Sequence, residues 1–177
     1  MNKAVFLDRD GTVVVDRGYL ADPAGLELLP GVPEALVALR KAGFKLVLVT
    51  NQSGIGRGHF SRAAVDQQHR RLAQLLAPHG IGFDGVFVCP HRPDEGCTCR
   101  KPSPEMLRAA AADLGLELKA SFMVGDKGSD VVAGRAAGCR TVRVASDGDD
   151  PAADATQPDL RAAGQWIVAQ ATNASNP

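Results

Sequence analysis

The sequence predicts an α/β fold, a parallel β-sheet sandwiched by helices, and three observations carry the prediction. Five short apolar runs are nearly unbroken, as strands covered on both faces require. Helical patterns separate them, and strand–helix alternation is the signature of a parallel sheet. Finally, the first, second and fourth runs end in polar residues: Asp8 and Asp10, Thr50 and Asn51, Asp126 and Lys127. Open parallel sheets bind ligands beyond the carboxyl ends of their strands. Turn chemistry would explain one such ending; three together point to a site.

The elements follow in order. AVFLD (4–8) opens the sheet and stops at Asp8-Arg9-Asp10-Gly11-Thr12. A helix over 31–42 repeats its apolar residues at helical spacing and closes on Gly43. KLVLVT (45–50) is the second strand, followed by a helix over 61–78 and the strand DGVFVC (84–89). In the helix over 103–115, Ser103 suits the cap, Pro104 the first turn and Gly115 the stop. SFMVGD (121–126), a helix over 128–138, RTVRVA (140–145) and a helix over 158–171 complete the pattern. Residues 146–159 read as an acidic exposed loop, and 172–177 as a frayed tail after a single domain, 1–171.

Composition limits the function. Twenty Lys+Arg balance twenty Asp+Glu, so no global field draws the chain to nucleic acid or an anionic membrane. No apolar stretch nears the roughly 20 residues that span a bilayer, and the first residues lack the shape of a signal peptide. A soluble cytoplasmic monomer is expected.

Two clusters carry chemistry. Carboxylates two residues apart at a strand end can hold a hard cation. Asp8 and Asp126 would offer side-chain oxygens and Asp10 its backbone carbonyl to Mg2+, which keeps further positions for water and phosphate. Separately, Cys89, His91, Cys97 and Cys99 lie within eleven residues, while Cys139 stands apart. That count and mixture suit a closed tetrahedral Zn2+ site of structural type. The loop carries Asp94 and Glu95 and no aromatic platform, which argues against a nucleic-acid-binding zinc knuckle. It leads directly into Arg100 and Lys101, so a bound metal would hold both cations toward the site.

Four segments, FLDRDGT (6–12), LVTNQSG (48–54), RKPSPEM (100–106) and MVGDKGSD (123–130), resemble in order and spacing the four motifs of the haloacid dehalogenase superfamily of phosphohydrolases. The resemblance implies a Rossmann-like sheet, here without a large cap domain because the segments after the first two motifs are short. It implies Asp8 as the nucleophile that becomes an aspartyl-phosphate, and Asp10 as general acid and then general base. Thr50 and Asn51 would bind the phosphoryl oxygens and Lys101 would neutralise their charge. Asp126 would complete the Mg2+ site, with Asp130 supporting the metal or Lys101. Arg9, Gln52 and Ser53, within the first two motifs, are expected at the substrate.

The chain is similar to two subfamilies: phosphatases removing the C7 phosphate of D-glycero-D-manno-heptose 1,7-bisphosphate, which serve nucleotide-activated heptose and the lipopolysaccharide core, and histidinol-phosphate phosphatases. The segments DRGYLADP, NQSGIGRGHF and GDK favour the former. A sugar bisphosphate has a second phosphate, for which Arg57, Arg100 and Lys127 are spare cations. Asp16, Arg17, Gly18 and Tyr19 would close over the sugar. His59, His69 and His79 are expected on loop or helix surfaces, Trp166 in core packing and Cys139 as a small buried residue. A catalytically idle, zinc-stabilised binding module is the alternative of another class. The charged set at 8, 10, 101 and 126 argues against it.

Overall fold

A computed structural model describes residues 2–173. Among them, β1 (Lys3–Leu7), β2 (Phe44–Asn51), β3 (Gly85–Cys89), β4 (Phe122–Gly125), β5 (Arg140–Val144) and β6 (Ala155–Gln157) form one sheet in the order β3-β2-β1-β4-β5-β6. Every pairing is parallel. The helices are α1 (Val32–Lys41), α2 (Ser53–Gly56), α3 (Arg62–Leu76), α4 (Glu105–Leu114), α5 (Gly128–Ala137) and α6 (Leu160–Asn173).

Alternation along each strand divides the core into two layers. Val5 and Leu7 of β1 join Leu46 and Leu48 of β2 against Leu36, Leu39, Leu160 and Ile167 of α1 and α6. Ala4 and Phe6 join Val47 and Val49 against Met106, Leu107 and Ala133 of α4 and α5. Gly134 lets α5 settle on the sheet: a Cβ there would lie 2.6 Å from Met123 Cβ. Trp166 packs edge-on to Phe122 at 6.1 Å with Arg140 over its ring, and Cys139 is buried, both as expected.

Three boundaries differ from the sequence reading, the first being α4, which starts at Glu105 with Pro104 rather than Ser103 at its cap. The segment 146–159 contains β6, whose only apolar residue is Ala155 and which therefore gives no strand signal. It forms because β5 has an open edge and because Asp154 accepts from the Thr141 backbone N–H at 2.7 Å and hydroxyl at 2.9 Å. The last helix runs to Asn173, two residues into the expected tail; 174–177 lie outside the described residues. The order places β2, β1 and β4 side by side at the centre, so the three polar strand ends meet.

Candidate active site

Asp8 follows β1, and its N–H still donates to the Val124 carbonyl at 2.9 Å, which holds it at the sheet edge. The chain then turns back because the Arg9 carbonyl accepts from Val13 and Val14 N–H at 2.9 and 3.0 Å. Gly11 permits this turn at φ +81°, and a Cβ there would stand 2.5 Å from Asp126 Oδ2. Only glycine leaves Asp126 room.

Lys101, fully buried, is the cation at the centre. Its Nζ lies 2.7 Å from Asp8 Oδ1, 2.7 Å from Asp130 Oδ1 and 2.8 Å from the Val49 carbonyl. Burial alone would lower its pKa, but the two carboxylates outweigh that and hold the ammonium above its ordinary value. Asp130 commits its other oxygen to the Lys127 N–H at 3.1 Å, and burial with Asp8 repulsion raises its pKa against the pull of Lys101.

Carboxylate oxygens of Asp8, Asp126 and Asp130 lie within 4.8 Å of one another. Asp126 Oδ1 is buried without a hydrogen-bond partner. Burial first, and repulsion by Asp8 second, push its carboxyl from 3.8 up to about 7. An orphaned acceptor beside a second carboxylate fits a hard divalent cation, which would supply the missing partner and relieve the repulsion. Asp10 contributes no carboxylate to this cluster, leaving the carbonyl expected of it.

Asp10 is instead gripped from behind. Arg9 Nε and Nη2 donate to its two oxygens at 3.0 and 3.1 Å, and Gln52 Nε2 donates to Oδ2 at 2.9 Å and to Thr50 Oγ1 at 2.8 Å. Four of the expected residues have partners or places of their own in the folded chain. Arg9, expected at the substrate, is 2% exposed and faces Asp10 and Gln68 because a buried guanidinium must find carboxylate and amide partners. Asn51, expected on phosphoryl oxygens, clamps the Lys101 peptide: Nδ2 donates to its carbonyl at 3.0 Å and Oδ1 accepts its N–H at 3.1 Å. Arg17 pairs with Glu27 at 2.6 Å on the surface. Arg57 lines a separate depression with His59 and Arg92.

Asn51 and most of the remaining residues converge on a cleft of about 570 Å³, whose lining does not include Thr50 or Asp126. Asp8, Asp10, Asp16, Gly18, Tyr19, Asn51, Gln52, Ser53, Arg100, Lys101, Lys127 and Asp130 line it. Lys127 reaches Asp16 at 3.5 Å; Asp126, Asp8 and Asp16 raise its pKa against the opposing effect of burial. Ser129 also lines the cleft and was missed; its place in the first turn of a helix starting at the sheet edge was the available signal. Tyr19 stacks on the exposed His59 with centroids 4.3 Å apart. His69 lies partly buried on α3 rather than on a surface.

The cysteine loop leads into this cleft. Cys89 Sγ lies 3.7 Å from both His91 Nδ1 and Cys97 Sγ, and Cys99 Sγ lies 3.3 Å from His91 Nδ1 and 3.8 Å from Cys97 Sγ. Zinc–sulfur bonds of about 2.3 Å set tetrahedral edges near 3.8 Å, so the four donors fit zinc. Arg100 Nη1 donates to the His91 carbonyl at 3.3 Å, joining the loop to the cleft.

A central strand that ends at Asp8, a buried lysine on that carboxylate and an acidic pair beyond the neighbouring strand define a hydrolase of the haloacid dehalogenase class. Residues 5–70 match the haloacid dehalogenase-like hydrolase family, and 98–171 the HAD-hydrolase-like family. The D-glycero-beta-D-manno-heptose-1,7-bisphosphate 7-phosphatase of Photorhabdus laumondii is 45% identical over 137 residues, 73% of each chain. The enzyme of that name from Yersinia pestis is 41% identical over 172 residues, 93% of this chain and 89% of the relative. A crystal structure of D,D-heptose 1,7-bisphosphate phosphatase from B. bronchiseptica, complexed with magnesium and phosphate, matches with a TM-score of 0.85 at 34% identity, covering 95% of this chain and 99% of that one. The chain belongs to the D-glycero-β-D-manno-heptose-1,7-bisphosphate 7-phosphatase family.

Proposed function

We propose that the chain is a Mg2+-dependent phosphatase that removes the C7 phosphate of D-glycero-D-manno-heptose 1,7-bisphosphate and leaves heptose 1-phosphate. The observation that carries this reading is Lys101, buried between Asp8 and Asp130 on the cleft floor beside an unpartnered Asp126 oxygen. The relatives support the heptose substrate, in its β anomer by their names, and not the histidinol-phosphate alternative. The product would feed nucleotide-activated heptose and the lipopolysaccharide core, from a cytoplasmic monomer. No helix among the described residues is long and apolar enough to cross a membrane.

In this reading an Asp8 oxygen attacks phosphorus. The new Asp8–phosphorus bond forms as the phosphorus–C7 oxygen bond breaks, and Asp10 gives its proton to the leaving alkoxide. Water then attacks phosphorus while Asp10 takes its proton, which releases phosphate and restores Asp8. Lys101 and the Thr50 hydroxyl stabilise charge on the phosphoryl oxygens. Asn51 acts by holding the Lys101 peptide. Mg2+ held by Asp8, Asp126 and the Asp10 carbonyl, with Asp130 behind, would neutralise negative charge where carboxylate and phosphate meet. Arg100 and Lys127, on the cleft wall, serve the second phosphate. Zn2+ on Cys89, His91, Cys97 and Cys99 would order the loop that delivers Arg100 and Lys101.

The test is phosphate release from both heptose bisphosphate anomers and from histidinol phosphate, with and without Mg2+. A higher kcat/KM for the β-heptose substrate is expected. Preference for histidinol phosphate, or turnover indifferent to Mg2+, would overturn the proposal.

A further inference from the structure

One buried polar side chain takes no part in the chemistry above. Gln68 sits on the apolar face of α3 with Val65 and Leu72, and it is fully buried. An amide in that place must find partners at both ends. Its Oε1 accepts from Arg9 Nη1 at 2.8 Å, and its Nε2 donates to the Leu20 carbonyl at 2.6 Å. The reverse orientation would set donor against donor and carbonyl against carbonyl, so the amide has one sense.

Arg9 in turn forks onto both oxygens of Asp10. A continuous path of hydrogen bonds thus joins Asp10 to the loop 15–22, which carries Asp16, Gly18 and Tyr19 to the cleft wall. His69 Nε2 approaches Arg9 Nη1 at 3.5 Å. Burial, and next the charge of Arg9, push the His69 pKa down to about 4, so a neutral ring closes the guanidinium off on that side.

On the reading of Asp10 as proton donor, we propose that Gln68 is a positioning residue: it orients the Asp10 carboxylate through Arg9 and ties that orientation to the sugar-facing loop 15–22. The two ends of the amide make this possible. Methionine would keep the volume and lose both contacts. Glutamate would keep an acceptor but compete with Asp10 for the guanidinium.

The experiment compares kcat/KM for heptose 1,7-bisphosphate with that for p-nitrophenyl phosphate, using the full chain loaded with both metals. This constant covers the steps through departure of the first leaving group. A nitrophenolate departs without a proton, whereas a sugar alkoxide needs one. Gln68→Met is expected to lower the sugar-phosphate value about 30-fold, part of the roughly 10²–10⁴ that general acid catalysis supplies, and the aryl value less than about threefold. Gln68→Glu should show the same asymmetry, and it carries the test if circular dichroism shows the methionine variant unfolded. Equal losses on both substrates in the folded variant, or no loss on either, would overturn the inference while Asp10→Asn still shows the asymmetry. If Asp10→Asn itself lowers both substrates alike, the reading of Asp10 fails, and the inference with it.

Discussion

Replacing Asp126 with asparagine should stabilise the metal-free protein while destroying its activity. The carboxyl rises from 3.8 to about 7, first through burial and then through Asp8. At about 1.4 kcal/mol per pH unit that difference is worth roughly 4 kcal/mol, and screening of a half-buried group reduces it to about 2 kcal/mol. Below about pH 4 both folded and unfolded chains keep this proton, so the penalty is absent. Between about 4 and 7 the unfolded chain has lost the proton and the folded chain retains it, so stability falls as pH rises; above about 7 the penalty is complete. Asparagine has nearly the same shape and no charge. In magnesium-free buffer at pH 7.5, Asp126→Asn should therefore unfold about 4–8 °C higher than the parent, and at pH 4 the two should coincide. With Mg2+ at about a hundred times its dissociation constant the parent should regain about 2.7 kcal/mol and the variant nothing. Thermal and urea denaturation followed by circular dichroism between pH 4 and 8 measure these differences in stability. A variant less stable than the parent at pH 7.5 without Mg2+, or a gap that ignores pH, would refute the reasoning.

Lys101→Met should lower kcat about 10³-fold, at the upper end for one lost electrostatic donor. It should also cost about 3–5 kcal/mol of stability in urea melts, because Asp8 and Asp130 are left as buried carboxylates without their cation. Adding Asp130→Asn should restore part of the stability and none of the turnover; a double variant no more stable than the single would count against the pairing. Asp8→Asn should reduce phosphate release to background in a folded protein, and any sustained turnover would contradict its role as nucleophile. Removing zinc should weaken turnover by freeing Arg100 from the His91 carbonyl and loosening Lys101; unchanged kinetics in a sample shown by metal analysis to be zinc-free would refute this. Inorganic phosphate should bind measurably by calorimetry only when Mg2+ is present, and equal binding without it would disprove the electrostatic account of the cleft.

The fold was legible because a parallel sheet covered on both sides leaves a strong record. Five strands read as apolar runs, and each lies within a residue or two of its expected place. β6 left no such record, since its pairing depends on the free edge of β5 and on Asp154 reaching Thr141. Within the site, legibility followed a similar division. Sequence position told which residues stand at a strand end, and Asp8, Asp126, Asp130 and Lys101 do meet there. It did not tell which way a polar side chain turns. Asn51 and Arg9 read as groups facing a ligand, yet the folded chain supplies their partners. For Arg9 a signal existed: it stands between two carboxylates, Asp8 and Asp10, so a guanidinium there has an acidic partner within the chain. Gln68 carried another, a polar residue on an otherwise apolar helix face beside Val65 and Leu72. Both signals concern residues that support the chemistry rather than perform it.

The cleft's charge explains why the first strand ends in so much acid. Asp8, Asp10, Asp16, Asp126 and Asp130 gather around it, and Arg9, Arg100, Lys101 and Lys127 answer them. Arg9 is taken by Asp10, Lys101 is shared by Asp8 and Asp130, and Lys127 leans toward Asp16. Above about pH 7, where Asp126 is ionised, one negative charge is left over, and the unpartnered oxygen of Asp126 shows where the deficit falls. In that condition the cleft repels a phosphate dianion. One divalent cation turns the excess of one negative charge into an excess of one positive, in a half-buried setting where Coulomb forces are several times stronger than in water. On the proposed reading, a lysine at position 126 would give the same excess of one positive charge permanently, but it would leave Asp8 less free to attack and would offer phosphate no open coordination. On that reading, the acidic excess is thus the condition for a cleft whose attraction to phosphate would be switched on by the ion that also screens Asp8 from it.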